Sequence, residues 1–439
     1  MLSQSFSAEN FRRILDLENR KGIYLEGRYF PDLKKISEQI KQYSIRLREN
    51  KELTKDESNK IYCERIKLKE QKEKELTAKL EEVSQKALMT DFKVEIIANK
   101  NKDGKFIYVI RDKPEQYFIM KQLQMNVSKL FGVKQSSRNT IIDQLLKIIG
   151  DKFPKQVLRT DISNFYESIP RDRLINQINE NDLLTPTSKK IVRQIFSEYK
   201  KLSGSEKGIP RGIGVSAYFA EIYMSQIDKE INKLPNLAYY SRYVDDIVII
   251  FTPSSMGDKT DYIAQVKDII EQKYELKINI DKTTIFNLLD KKQSCEFDYL
   301  GYRIEFKDGQ VKTKLTKQKY MKYIKKINVS FDHYNNLSRI NEKEARKILV
   351  KRVRYLTGNT RLKGNKQNIL VGIYYSNCHL TDKIDLQHLD NYLRTKIINE
   401  IHTSQLKARL LKYSFSEGFE TKRYSPFESY ELKKIIEMW

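Results

Sequence analysis

Asp245 and Asp246 stand side by side between two β-rich runs, Tyr239–Val244 and Ile247–Phe251. Adjacent carboxylates in a tight turn between buried strands repel, and the arrangement is costly unless a cation neutralises it. Mg²⁺ suits such a place, because it takes hard oxygen ligands and keeps several waters. A third carboxylate is at hand, since Asp161 lies near the end of a short apolar run, Gln156–Ile162. Two strands side by side would then present three acids at one edge. That is the donor set of a two-metal site, where one ion activates an attacking hydroxyl and the other stabilises the leaving oxygen. Taken alone, an Asp-Asp pair is most often an ordinary surface turn.

The elements that must position these acids alternate in type along the chain. Residues 1–90 read as helical and charge-balanced, with a polar break at Lys51–Asn59. Phe92–Ala98 and Phe106–Arg111 flank a turn containing Asp103-Gly104, a hairpin signal. Helical stretches follow at Glu115–Phe131 and Arg138–Ile149, and residues 262–272 also look helical. Residues 276–280 and 297–306 look extended, and beyond about residue 311 the periodicity is helical to the end. There is no internal repeat. Nine prolines and 16 glycines leave little room for flexible linkers.

The chain has 439 residues, enough for two to four domains with real cores. Lys plus Arg number 82 and Asp plus Glu 58, a net charge of +24 that favours a polyanionic partner. The surplus is uneven: +4 over residues 1–90, +5 over 91–300 and +15 over 301–439. Its densest part is Lys312, Lys314, Lys317, Lys319, Lys322, Lys325 and Lys326, with Tyr320 and Tyr323 among them. Basic side chains interleaved with aromatics suit a nucleic-acid surface, although a solvated helix face has the same composition. No apolar run approaches the roughly 18–20 residues of a bilayer span. The opening residues carry no secretory or myristoylation signal. Three scattered cysteines exclude a disulfide framework, and a reducing, intracellular compartment is the expected one. Cys378-His379 and His388 have no ligand partners at useful spacing.

Tyr243-Val244-Asp245-Asp246 resembles the Tyr-x-Asp-Asp box of reverse transcriptases, and the resemblance runs in order along about 160–302. Asp161-Ile162-Ser163-Asn164-Phe165-Tyr166 is similar to the first palm motif, and Gly208–Ser216 to the Leu-Pro-Gln-Gly-x-x-x-Ser motif. Ile278–Thr283 is similar to the Leu-Asn-x-x-Lys-Thr segment, and Phe297–Tyr302 to the Phe-Leu-Gly hairpin. Two positions depart: Arg211 replaces the usual Gln, and Ser216-Ala217 the usual Ser-Pro. Together with the aromatic-rich first motif (Asn164–Ile169), these departures resemble bacterial abortive-infection and "unknown group" defence enzymes, and Val133–Arg138 and Leu356–Leu362 most resemble the type that works as a pair of reverse transcriptases.

The resemblance implies an α+β right-hand polymerase: an N-terminal helical extension (1–90), fingers (91–155), a palm with an antiparallel sheet (156–310) and a basic helical thumb (311–439). It implies an RNA-directed DNA polymerase that makes cDNA from dNTPs on a non-coding RNA template, with a possible second reverse transcriptase or second copy as partner and no membrane. Untemplated or protein-primed synthesis is the alternative, and an inactive RNA-binding scaffold a further one. Two Mg²⁺ ions would be held by Asp161, Asp245, Asp246 and the Ile162 carbonyl. Tyr166 would exclude a ribose 2′-hydroxyl, with a core tyrosine as the plain reading. Gly212 would let backbone approach the nascent base pair. Arg211 would contact template or phosphate, or else pair with Glu206 or Glu221. Lys282 would serve the departing pyrophosphate, and Lys134 and Arg138 the triphosphate. The seven lysines would grip nucleic acid. No RNase H or integrase module is expected.

Overall fold

The computed structural model describes residues 3–49, 54–101, 104–133, 137–151, 153–180, 182–254, 260–289, 293–362 and 369–439. The chain folds into two compact units. The first comprises residues 1–135, 161–234 and 262–281; the second comprises 136–160, 235–261 and 282–439.

The first unit opens with helices α1 (Ala8–Arg20), α2 (Leu25–Tyr29), α3 (Pro31–Glu49) and α4 (Lys55–Leu88). α4 starts where Thr54 and Glu57 form a reciprocal capping box, which satisfies two backbone donors the helix start leaves open. Strands β1 (Ile96–Lys100) and β2 (Phe106–Ile110) form an antiparallel hairpin, so the first strand begins four residues later than the residue types suggest. Asp103 of its turn lies outside the described residues. Helix α5 (Pro114–Leu130) follows, with proline at its first position, where a missing N–H costs nothing. Phe11 on α1 packs on Phe118 of α5, both wholly buried.

The second unit begins with α6 (Arg138–Ile149), capped by the Ser137 side chain, and β3 (Lys155–Asp161). The first unit resumes with α7 (Phe165–Ser168), α8 (Arg171–Glu180), α9 (Pro186–Ser203) and α10 (Ser216–Ile231). β4 (Leu237–Tyr243) and β5 (Asp246–Phe251) belong to the second unit, and α11 (Tyr262–Lys267), continued by a π turn to Lys273, to the first. The expected strand at 276–280 is absent: only Ile278 makes a bridge, to Ile162, before a 3₁₀ turn at Ile280–Lys282.

β6 (Thr284–Leu288) completes a four-stranded sheet of order β4-β5-β3-β6. β7 (Cys295–Tyr299), β8 (Tyr302–Lys307) and β9 (Gln310–Leu315) form a second, antiparallel sheet. Its first hairpin turns through Leu300 and Gly301, both at positive φ (45° and 77°), the signature of a type I′ turn. The remainder is α12 (Lys317–Ser338), α13 (Glu342–Thr357), β10 (Asn359–Leu362), β11 (Ile369–Gly372), α14 (Ile384–Glu400), α15 (Ser404–Leu410), α16 (Phe415–Glu420) and α17 (Ser429–Ile436). The region after 311 is therefore not helical throughout. β9 alternates, burying Thr313 and Leu315 while Lys312 faces solvent, and β10 pairs with β11. A large core runs through this unit, joining Val157 and Val248 of the first sheet, Ile304 of the second, and Phe331, Leu349 and Leu393 of the helices, and a smaller cluster gathers Phe427, Leu432 and Ile435. No described helix is long and apolar enough to cross a membrane.

Candidate active site

Tyr243 pairs with Asp246, so the β4–β5 hairpin closes through two residues, Val244 and Asp245. Asp246 is thus the first residue of β5 rather than a turn residue. Val244 sits at φ 62°, a left-handed conformation that a β-branched side chain adopts at a cost on the order of 1–3 kcal/mol. The surroundings hold it there: Arg242 donates to the Val244 carbonyl at 2.9 Å, and Ile247–Phe251 are completely buried. A β5 strand anchored along its whole length cannot slide, so the Asp246 carboxylate is fixed at its start. On β3, Arg159 reaches Asp246 at 3.4 Å. Burial pushes the phenol of Tyr299 well up, and the Asp246 charge adds to that rise.

Asp161, 6% exposed, ends β3 two residues beyond Arg159. Its carbonyl accepts from the Asn279 N–H at 2.8 Å, and Ser163 N–H donates to the Lys277 carbonyl at 2.8 Å. Those bonds flank the Ile162–Ile278 bridge in the pattern of a non-hydrogen-bonded antiparallel pair, which keeps the Ile162 carbonyl outside this ladder. The described residues contain no group of three or more His, Cys, Asp or Glu side chains arranged to hold a metal. What the fold supplies is three carboxylates at strand boundaries, two of them in one tight hairpin.

After Asp161 the chain turns at Asn164 (φ 45°) into α7, which carries Phe165, Tyr166 and Glu167. Ile209 N–H donates to the Tyr166 carbonyl at 2.7 Å and Gly208 N–H to that of Ile169 at 2.8 Å, tying the 208–214 loop to α7. Arg211 pairs with Glu167 at 2.9 Å, not with Glu206 or Glu221, and lies over the Tyr166 ring at 5.5 Å. Glu206 is engaged by Lys200 instead. The Arg211 carbonyl accepts from Tyr108 N–H of β2 at 2.7 Å. Gly212, at φ 107°, has no room for a Cβ: one would sit 2.5 Å from Ile107 and 2.6 Å from the Tyr108 carbonyl. Its missing side chain makes way for β2.

The remaining candidates are scattered. Arg138, at the first turn of α6, donates from Nε to the Leu300 carbonyl at 2.7 Å and covers the Tyr302 ring at 5.2 Å. Lys134 lies outside the described residues, and Lys282 is exposed on the 3₁₀ turn. The seven lysines do not form one surface. Lys312, Lys317, Lys322 and Lys325 are exposed, whereas Lys314 pairs with Glu305 at 2.9 Å. Lys326 covers the Trp439 indole at 4.5 Å, and burial lowers its pKa. Lys319 donates to the Ser376 carbonyl at 3.0 Å and covers Tyr302 at 5.2 Å, so both it and Arg138 face one ring. Desolvation, then repulsion from Arg138, brings its pKa down to about 7. Two participants escape a motif-by-motif reading, Arg159 and Glu167. Arg159 had a signal, because residues i and i+2 share a strand face; Glu167 had none beyond adjacency to Tyr166.

Residues 100–304 match the family model described as Reverse transcriptase (RNA-dependent DNA polymerase). No curated protein matches the chain. Among solved structures it is similar to apo telomerase from Candida tropicalis (TM-score 0.38, 16% identity, 78% of this chain and 61% of that one). It is also similar to telomerase from Candida albicans in complex with a TWJ fragment of telomeric RNA (TM-score 0.35, 14% identity, 77% and 63%). The chain spans under two thirds of the length of each of these structures. Its central segment has the reverse transcriptase fold.

Proposed function

We propose that this chain is an RNA-directed DNA polymerase, with Asp161, Asp245 and Asp246 as its metal-bearing acids. The observation that carries the reading is the position of those acids, at the end of β3 and at the β4–β5 hairpin, inside a segment that matches reverse transcriptases. The donor set fits Mg²⁺ rather than a softer ion: it offers carboxylate oxygens, with no thiol or imidazole among these three residues. When bound, such ions lower the pKa of a primer hydroxyl and stabilise the departing pyrophosphate oxygen. The protein's own contribution is rigidity. Buried β5 and the Arg242-fixed turn hold the Asp245–Asp246 pair in place, and the 208–214 loop stitched to α7 gives an incoming sugar a firm wall at Tyr166. Lys282, Arg138 and Lys134 belong to this reading as nucleotide-binding groups, and the exposed lysines as phosphate contacts that position a strand without reading its sequence.

The finer assignment we propose is a role in bacterial antiphage defence, in the cytoplasm, with a structured non-coding RNA as template. Its support is Arg211, Ala217 and the Leu356–Leu362 segment, together with three free cysteines. The test is Mg²⁺-dependent incorporation of labelled dNTPs by purified protein, with sequencing of the co-purifying nucleic acid. Asp245→Asn with Asp246→Asn should abolish incorporation. Polymerisation that survives this double change refutes the site, and a product unrelated to any co-purified RNA refutes templated synthesis.

A further inference from the structure

We propose that Arg211 is a positioning residue for sugar selection, holding the Tyr166 ring in place as the wall against a ribose 2′-hydroxyl. This rests on the polymerase reading above. The Arg211 backbone is anchored through its carbonyl to Tyr108, and two residues earlier Ile209 N–H holds the Tyr166 carbonyl. Gly208 presses so closely on α7 that a Cβ there would meet the Glu167 carbonyl at 2.7 Å and Cα at 2.9 Å. Loop and helix therefore behave as one block, and the Arg211 side chain folds back over that block. Glu167 grips one end of the guanidinium at 2.9 Å while its carbon centre lies 5.5 Å from the Tyr166 ring centroid. Phe165 also packs edge-on against this ring at 5.4 Å, itself buried.

A cation over an aromatic face is attracted to the ring's negative quadrupole. Arginine does this with a plane that also keeps a fork free for a carboxylate, which lysine lacks and glutamine cannot match in charge. The substitution of Arg for Gln in this motif thus acquires a purpose: it locks the ring beside it. Without Arg211, Tyr166 regains side-chain freedom and yields to a 2′-hydroxyl more readily.

The test compares incorporation efficiency of dTTP and UTP on a poly(rA)–oligo(dT) substrate with Mg²⁺. Arg211→Gln should reduce the dTTP preference roughly two- to fivefold, the scale of one exposed cation–aromatic contact. Tyr166→Val should reduce it further, and the Arg211→Gln, Tyr166→Val double change should match Tyr166→Val alone, because the arginine acts through the ring. Arg211→Lys and Glu167→Gln should fall between wild type and Arg211→Gln, and they read the same ratio if the glutamine variant fails to fold. A merely structural role would alter both nucleotides together and leave the ratio unchanged. An unchanged ratio in the arginine variants, or a full additive effect in the double change, overturns the proposal. Wild-type protein that incorporates neither nucleotide overturns the polymerase reading itself.

Discussion

At the scale of single residues, the candidate site is built on unusual backbone as much as on charge. Val244 accepts a left-handed conformation so that a two-residue turn can deliver Asp245 and Asp246 at the edge of a buried strand. Gly212 is demanded twice over, by its φ of 107° and by β2 pressing on the position where a side chain would begin. Gly104, at φ 76°, meets nothing within 4 Å. The two glycines separate strain from crowding. Gly104→Ala should cost about 1–2 kcal/mol, the left-handed penalty alone. Gly212→Ala should cost more and impair nucleotide incorporation as well. Urea unfolding of both variants checks this: equal midpoints would mean that the 208–214 loop yields freely to β2.

At the scale of elements, the junction between the β7–β8 turn, α6 and α12 brings two cations, Arg138 and Lys319, to one aromatic ring. Arg138 from α6 and Lys319 from α12 both cover Tyr302, and Cys378 and His379 approach the same ring. Burial holds the Lys319 pKa at about 7, below its ordinary value of 10.5. The unfolded chain therefore binds more protons between about pH 7 and 10.5, so this residue's contribution to stability rises with pH across that window. Below pH 7 the full cost of a buried ammonium remains. Lys319→Met should stabilise the protein against urea at pH 6.5, with the advantage shrinking towards pH 10. A pH-independent difference would show that Lys319 is solvated in its charged form.

At the scale of the whole molecule, a charge of +24 would make binding to any polyanion strongly dependent on salt. Affinity for single-stranded RNA should fall steeply as ionic strength rises, by counterion release. Replacing Lys312, Lys317, Lys322 and Lys325 together with Gln should lower the slope of log K against log salt by up to about 3, at about 0.7 per phosphate contact. Replacing Lys314 and Lys326 should hardly change it, since Glu305 and Trp439 already occupy them. Equal effects of both sets in a filter-binding titration would mean that the whole lysine run forms one contact surface.

The residues themselves determined the element types wherever periodicity was long and uninterrupted. α5, α6, β3 and the β4–β5 hairpin lie within a residue or two of their expected bounds, and the motif order was legible without coordinates. Short elements that depend on distant partners were not, such as the Ile278 bridge and the β10–β11 pair, because a lone pairing leaves no local pattern. Only the tertiary structure decided which charges are free. Lysines adjacent in sequence point to solvent, to Glu305, to Trp439 or into a buried niche, and Arg211 found Glu167 rather than either nearer-looking acid. A side chain's partner is set by which backbone segments pack against it, and that depends on contacts dozens of residues away.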